Sequence, residues 1–384
     1  MIVKFLVSTF ALILFLINFA PAKIEIIKDS RGTDFWLTFL PNYHNNWSKP
    51  DPREKYGDSL YIFISADEPT KGSIEYFKSN GQQFITNFEI IDPQDVYVFS
   101  VPSYDFALLG YNVSGTLYNS PVPKIQTETV VLNSFHVVSE KKVSVYGLSQ
   151  AVKTSDAFIV LPTNVLGNRY FILSYPSDGI QNFFNPGQST PSQFAIVATE
   201  DNTQITIYPK AETYRYGRQV QNIILNKGEV YLVQAKIRDS NLNSDLTGTE
   251  IVANKPIAVF SGHQRATVPV SLRNSLSSDP SRDILIEQMP PVSTWGRNSI
   301  VVPFAKSRNE FSYGNNLFRI LAAEDDTEVL IDGVKVATLS QGSFYEGILD
   351  KPHYILANKP ILVGAFKKTC GTNSLKLGDP FFTI

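Results

Sequence analysis

Apolar and polar residues alternate along most of this chain in short runs with a period of two. No window of about 11–18 residues carries the 3.6-residue period of an amphipathic helix. The runs are rich in β-branched and aromatic residues, as in Leu60-Tyr61-Ile62-Phe63-Ile64, Val143-Ser144-Val145-Tyr146 and Gln204-Ile205-Thr206-Ile207-Tyr208. Such side chains suit a pleated, half-buried surface. Between them stand clusters of turn residues. Glu200-Asp201-Asn202-Thr203, Asn226-Lys227-Gly228 and Asn254-Lys255-Pro256 read as three successive hairpin turns, since Asn, Asp and Gly tolerate left-handed backbone and Pro breaks a ladder. The pattern predicts an all-β fold.

The same pattern recurs. FAIVATEDNTQITIYP from Phe194 resembles FRILAAEDDTEVLID from Phe318; LNKGEVYLV from Leu225 resembles LSQGSFYEG from Leu339; ANKPIAVF from Ala253 resembles ANKPILVG from Ala357. The spacing between copies falls in order along the chain, as shortened loops between strands of fixed order would give. A fainter first copy runs through LYIFISADEPTKGSIEYF from Leu60 and FHVVSEKKVSVYG from Phe135. DFWLTFLP, DAFIVLP and DILIEQMP, starting at Asp34, Asp156 and Asp283, also align. We therefore expect three β units, 31–150, 151–265 and 266–384, the last reading as cut short. Seven or eight strands in about 100 residues suit tandem β-sandwich-like units. One compact pseudo-threefold β assembly is the alternative.

Composition narrows the function. The first 22 residues carry one cation, Lys4, then an apolar core of about 15 residues, too short for the ~20 of a bilayer span. Ala20-Pro21-Ala22 supplies small residues for cleavage. Residues 1–22 thus read as a secretory signal peptide, and the protein as secreted, extracellular or on the cell surface. The 384 residues hold 34 basic and 36 acidic side chains, a net charge of −2, which gives no sequence-wide field for nucleic acid. The single cysteine, Cys370, allows no disulfide within the chain and no cysteine zinc site.

Candidate chemistry is sparse. Nucleophile-elbow, zinc-protease, phosphate-loop and dinucleotide motifs are all missing. The four histidines, His44, His136, His263 and His353, form no local metal motif and read as surface or strand-end residues. The acidic turns at Glu200-Asp201 and Glu324-Asp325-Asp326 offer too few oxygens for a hard cation, so they read as turns. No cofactor and no metal is expected. Two loops stand out for recognition: Tyr43, His44 and Trp47 in a polar-aromatic stretch, and His263, Gln264 and Arg265 after a strand of unit two. Rigid aromatic rings and loops at strand ends suit contacts with protein or glycan.

RGTDFWLTFLPNYHNN, LPTNVLGNRYFILSY, FAIVATEDNTQITIYP, ANKPIAVFSGH and ILIEQMPPVSTWGRNSIVVPF together resemble the N-terminal domain family of IgGFc-binding protein, in order and spacing, across about residues 31–384. The resemblance implies a secreted, non-catalytic recognition module whose partner is an extracellular protein or glycan, immunoglobulin- or mucin-like. It carries no Fc-contact motif onto these residues. The animal relatives have cysteines around this domain, whereas Arg282 stands here before Asp283 and Cys370 has no partner. Two other readings stay open: a structural spacer in an extracellular assembly, and a carbohydrate-active enzyme, which requires a facing carboxylate pair.

Overall fold

The computed structural model describes residues 29–43, 58–78, 80–111, 125–151, 154–179, 189–238, 240–274, 281–304, 316–369 and 379–384. Its architecture is nearly all β, in three curled sheets, as the alternation predicts. The first sheet holds β1 (Gly32–Leu37), β2 (Ser59–Ala66), β3 (Thr70–Phe77), β4 (Gln83–Ile90), β5 (Val96–Pro102), β7 (Phe135–Ala151) and β8 (Thr154–Val160). The second holds β6 (Val130–Val131), β9 (Gly167–Phe171), β10 (Ser192–Ala198), β11 (Thr203–Tyr208), β12 (Gln221–Leu225), β13 (Val230–Gln234), β14 (Glu250–Ala266) and β15 (Asp283–Gln288). The third holds β16 (Gly296–Val301), β17 (Asn316–Ala322), β18 (Thr327–Ile331), β19 (Val334–Leu339), β20 (Phe344–Leu349), β21 (His353–Phe366) and β22 (Phe382–Thr383).

The three sheets share one strand order: β4-β3-β7-β2-β5, β12-β11-β14-β10-β13 and β19-β18-β21-β17-β20. A single long strand organises each. In the second sheet, the first part of β14 pairs with β11 from Ala253 to Glu250, and the second part pairs with β10 from Ile257 to His263. β9 flanks the first part and β15 the second. The long strand therefore runs through both layers of a sandwich and bends between them. The bend falls on residues 253–256. Its counterparts lie between Val138 and Val143 and between Leu356 and Ile361.

This corrects the reading of three hairpin turns. β10 and β11, on either side of Glu200-Asp201-Asn202-Thr203, do not pair with one another, nor do β12 and β13 around Asn226-Lys227-Gly228, so both are turns between strands that pair elsewhere. The tripeptide Asn254-Lys255-Pro256 is a bend inside a continuous strand. A proline is tolerated there because the ladder is interrupted at the bend, so no backbone N–H is needed. Its neighbours brace the turn between β10 and β11 and, in the third unit, the turn between β17 and β18. The Lys255 ammonium donates to the Asp201 carbonyl at 2.6 Å, and Lys359 donates to the Asp325 carbonyl at 2.6 Å. Asn254 and Asn358 accept the backbone N–H groups of Gln204 and Glu328 at 2.8 Å. The Asp201 and Asp325 carboxylates in turn accept from Lys227 N–H and Gln341 N–H, at 3.0 and 2.9 Å. Asn202 and Asp326 adopt the left-handed conformation, φ 54° and 52°. The repeated acidic motif thus holds turn, bend and following turn together.

The edge strands carry hydrogen bonding past the repeat boundaries. β8 pairs with β7 and β15 with β14. The segments DAFIVLP and DILIEQMP therefore complete the sheet before them. We retain 31–150, 151–265 and 266–384 as a proposal for the sequence repeat, with each of the first two sheets extending one strand beyond it.

Units are joined through sheet faces. Every residue of β10 is buried. Phe194, Ile196 and Ala198 face the core of the second unit, while Ala195 and Val197 pack into the core of the first. β17 repeats this arrangement: Phe318, Ile320 and Ala322 enter the third core, while Leu317 and Leu321 enter the second. Backbones also touch across the second joint. Gly248 has φ +88°, and a Cβ there would lie 2.0 Å from the Gly342 carbonyl oxygen. Gly248→Ala is expected to cost more than about 1 kcal/mol, read as a lower denaturant midpoint at unchanged slope.

Candidate functional site

The loop after β1 brings the first candidate residue to the joint between units one and two. Gln193 donates its side-chain N–H to the Pro41 carbonyl at 2.9 Å, and Asn42 donates to the Thr154 carbonyl at 3.1 Å. These bonds fix Tyr43 at the end of a segment clamped between two sheets. The Arg265 guanidinium lies 4.9 Å from the centre of the Tyr43 ring, a cation–π geometry. Two residues singled out from separate loops of the sequence therefore meet.

Their neighbours lie deeper. β14 continues through Ala266, so His263 and Gln264 are strand residues, not loop residues, and both are fully buried. Gly262 permits this, because a Cβ there would collide with the Leu285 carbonyl of β15. The His263 Nδ1 accepts the Arg265 backbone N–H at 3.0 Å. Burial, and then the charge of Arg282, push its imidazole down to about 3, so the ring is neutral at ordinary pH. Gln264 donates its backbone N–H to Pro191 at 3.1 Å. Its buried side-chain amide has no hydrogen-bond partner among the described residues. His44 and Trp47 lie outside the described residues.

A polar seam runs behind Tyr43 and Arg265. Thr190 donates its hydroxyl to the Arg265 carbonyl at 2.7 Å, and Thr267 donates to Asp178 at 2.6 Å. Asp178 forms a buried ion pair with Arg282 at 3.8 Å. Next to it, β8 and β15 lie side by side. Asp283 accepts Ser155 N–H at 2.7 Å, and Asp156 accepts Ile286 N–H at 3.0 Å. Burial drives both acids up: Asp283 to about 7 and Asp156 well above the carboxylate range. Strand ends and the starts of connecting segments gather here, at Tyr43, Thr154, Asp178, Thr190 and Arg282.

A second cluster did not emerge from reading the histidines as surface or strand-end residues: His136 stands at the start of β7, yet is not on the surface. His136 is buried, with its ring stacked on Trp36 at 3.9 Å and its Nε2 3.0 Å from Asp34. Thr163 donates its hydroxyl to the same carboxylate. These hydrogen bonds hold the Asp34 pKa below its ordinary value, against the effect of burial. Lys227 of the next unit sits 5.6 Å from the Trp36 ring. The hydroxyl bonds the carboxylate and not the imidazole, so the set lacks the hydroxyl–imidazole pair of nucleophilic catalysis. Its place between sheets makes it joint structure. A groove of about 630 Å³ crosses the outer side of the first sheet, lined by Lys71, Glu89 and Glu140 around Gly72. There Glu89 is paired with Lys71 at 3.3 Å. Among the described residues, no group of three His, Cys, Asp or Glu side chains is placed to hold a metal.

Fold and site together define a three-unit β-repeat module with a polar, loop-bearing joint. Residues 156–384 match the family described as IgGFc binding protein, and the chain belongs to that family. The human (Homo sapiens) IgGFc-binding protein is 23% identical over 293 residues, which cover 75% of this chain and 4% of that protein. The chain thus spans a small part of the length of this relative.

Proposed function

We propose that this protein is a secreted or cell-surface, non-catalytic binding module that recognises an extracellular protein through the loop-bearing joint between its first two units. The observation that carries this reading is the meeting of Tyr43 and Arg265 at the joint, within a family named for binding. An aromatic ring capped by a guanidinium is the kind of pair that anchors protein interfaces. His44, next in the chain, and Trp47, four positions on from Tyr43, join the proposal from the sequence alone. The neutral charge balance suits a recognition surface better than an electrostatic one.

The test is biolayer interferometry of the purified chain against IgG Fc fragment, mucin glycans and extracellular protein extracts. Saturable binding to a protein ligand is expected. Arg265→Ala should weaken it by tenfold or more, about 1.4 kcal/mol, at unchanged thermal stability. Background-level signals on every surface would overturn the reading. Binding to glycans alone would replace the protein ligand with a carbohydrate one.

A further inference from the structure

The three units are built alike, but the outer face of their β10-type layer is treated differently in each. In the second unit, cross-strand neighbours Ala195, Leu232 and Phe260 are fully buried against the first unit's core. In the third, Leu317, Leu321 and Phe366 are buried in the second unit's core. In the first unit the corresponding face has nothing upon it among the described residues. Phe63 holds the register position of Ala195, with Val98 and Tyr146 opposite it. Val96 and Val98 are 52% and 51% exposed, and Tyr146 is 42% exposed. Tyr61 stacks beside Phe63 at 6.0 Å. No charged residue occupies this face on β2, β5, β8 or the second half of β7. A contiguous apolar face of this kind marks an interaction site.

The complementary half of the joint is uncovered on the third unit among the described residues. At the first joint, Trp36 of β1 packs over the backbone of Gly228, where a Cβ would lie 3.2 Å from the ring. At the second, Phe171 of β9 packs over Gly342 at 3.3 Å in the same sense. Trp36, Phe171 and Ile300 occupy the same register position on the long strands, opposite His136, Glu250 and Tyr354. Ile300 is 70% exposed and Val302, just beyond it, 57% exposed.

From these paired halves, both uncovered among the described residues, we infer that the outer face of the first unit, centred on Phe63, Val98 and Tyr146, docks onto the third unit of a second copy of this chain at Ile300 and Val302. The contact repeats the joint geometry used twice within the chain. Because the two halves differ, the association is heterologous: each copy uses its first unit on one neighbour and its third unit on another. Such contacts propagate as an open series unless the rotation closes a ring. The inference is independent of the ligand-binding proposal, since neither half includes Tyr43 or Arg265.

Sedimentation velocity over a concentration series tests it, on the full chain with and without residues 1–22. A concentration-dependent ladder of species is expected from both. Val98→Lys and Ile300→Lys replace exposed side chains, so each variant should fold with an unchanged melting temperature. Each should weaken association more than about tenfold. An equimolar mixture of the two variants should recover a two-chain species and nothing larger, because one intact half remains on each. Three results would overturn the proposal. The first is a monomer at all concentrations. The second is association abolished by Val98→Lys but untouched by Ile300→Lys, which would mean face-to-face pairing. The third is association only after removal of residues 1–22, which would make that apolar segment the occupant of the face.

Discussion

Arg319→Ala is expected to destabilise the protein by about 3–5 kcal/mol and to release the third unit to limited proteolysis before the other two. Arg319 sits on β17 at the position held by Ala195 in β10, so its side chain crosses the second joint. There it donates to Asp245 and to Glu346 at 2.8 Å, and to the Ser174 carbonyl at 2.8 Å. Tyr175, Phe344 and Phe366 surround the guanidinium within 5.6 Å. Burial opposes the charge, but Asp245 and Glu346 outweigh it and hold the guanidinium above its ordinary pKa. Removing the cation leaves the largely buried Asp245 carboxylate without its charged donor, while the Ser174 carbonyl and the Thr247 hydroxyl keep the bonds they make with each other's residues. Chemical denaturation of Arg319→Ala and Arg319→Met separates the causes. An apolar side chain of similar length should restore most of the loss if packing dominates. Equal losses in both variants would place the stabilisation in the ion pairs.

Stability should also fall as pH rises from about 4 to 8, and Asp283→Asn should flatten that fall. The carboxyl of Asp283 is pushed up from 3.8 to about 7 by burial between β8 and β15. Its folded pKa lies above its unfolded one, so its contribution is fully present below the unfolded value and is lost as pH climbs through the folded value. At 1.36 kcal/mol per unit, the shift corresponds to at most about 4 kcal/mol across that window. Glu287, on the same strand, is driven up to about 8 by burial, and Asp156 also rises, so they act in the same direction. Asp34, lowered by His136 and Thr163, acts oppositely and only on the acid side. Asparagine at 283 keeps the acceptor for Ser155 N–H and removes the titration. Thermal melts from about pH 4 to 8, which spans the rise from the unfolded to the folded pKa, measure both slopes. Identical slopes in wild type and variant would rule out this seam as the source.

The repeat was legible because its turns are built from side chains that must recur. Asp201 and Asp325, Asn254 and Asn358, and Lys255 and Lys359 all perform the same bonds in two units. The bend was not legible, because Asn-Lys-Pro spells a turn locally. Only the register on β10 and β11 reveals that the strand continues. His263 and Gln264 were misplaced for a related reason: a strand buried on both faces need not alternate, so polar residues late in β14 resemble a loop. The Tyr43–Arg265 contact joins distant segments and leaves no local trace. Arg319 did leave one, since FRILAA places an arginine where FAIVAT has alanine on an otherwise apolar strand. A charge at such a position calls for partners across a joint.

The long strand of each unit is also its last major strand in chain order, and this bears on how the protein folds. β10 and β11 are neighbours in sequence but do not pair with one another; β10 pairs with β13 and β14, and β11 with β12 and β14. Until β14 is in place, the second unit is two disconnected ribbons, β10 with β13 and β11 with β12. Two-stranded ribbons are marginal in water, so neither persists alone. Closure of each unit is therefore a late, non-local and cooperative event, the slow regime for a chain of this size. The ribbons of a unit whose long strand has yet to arrive expose open edges for that whole interval, when they are most exposed to mispairing with the homologous strands of the adjacent unit.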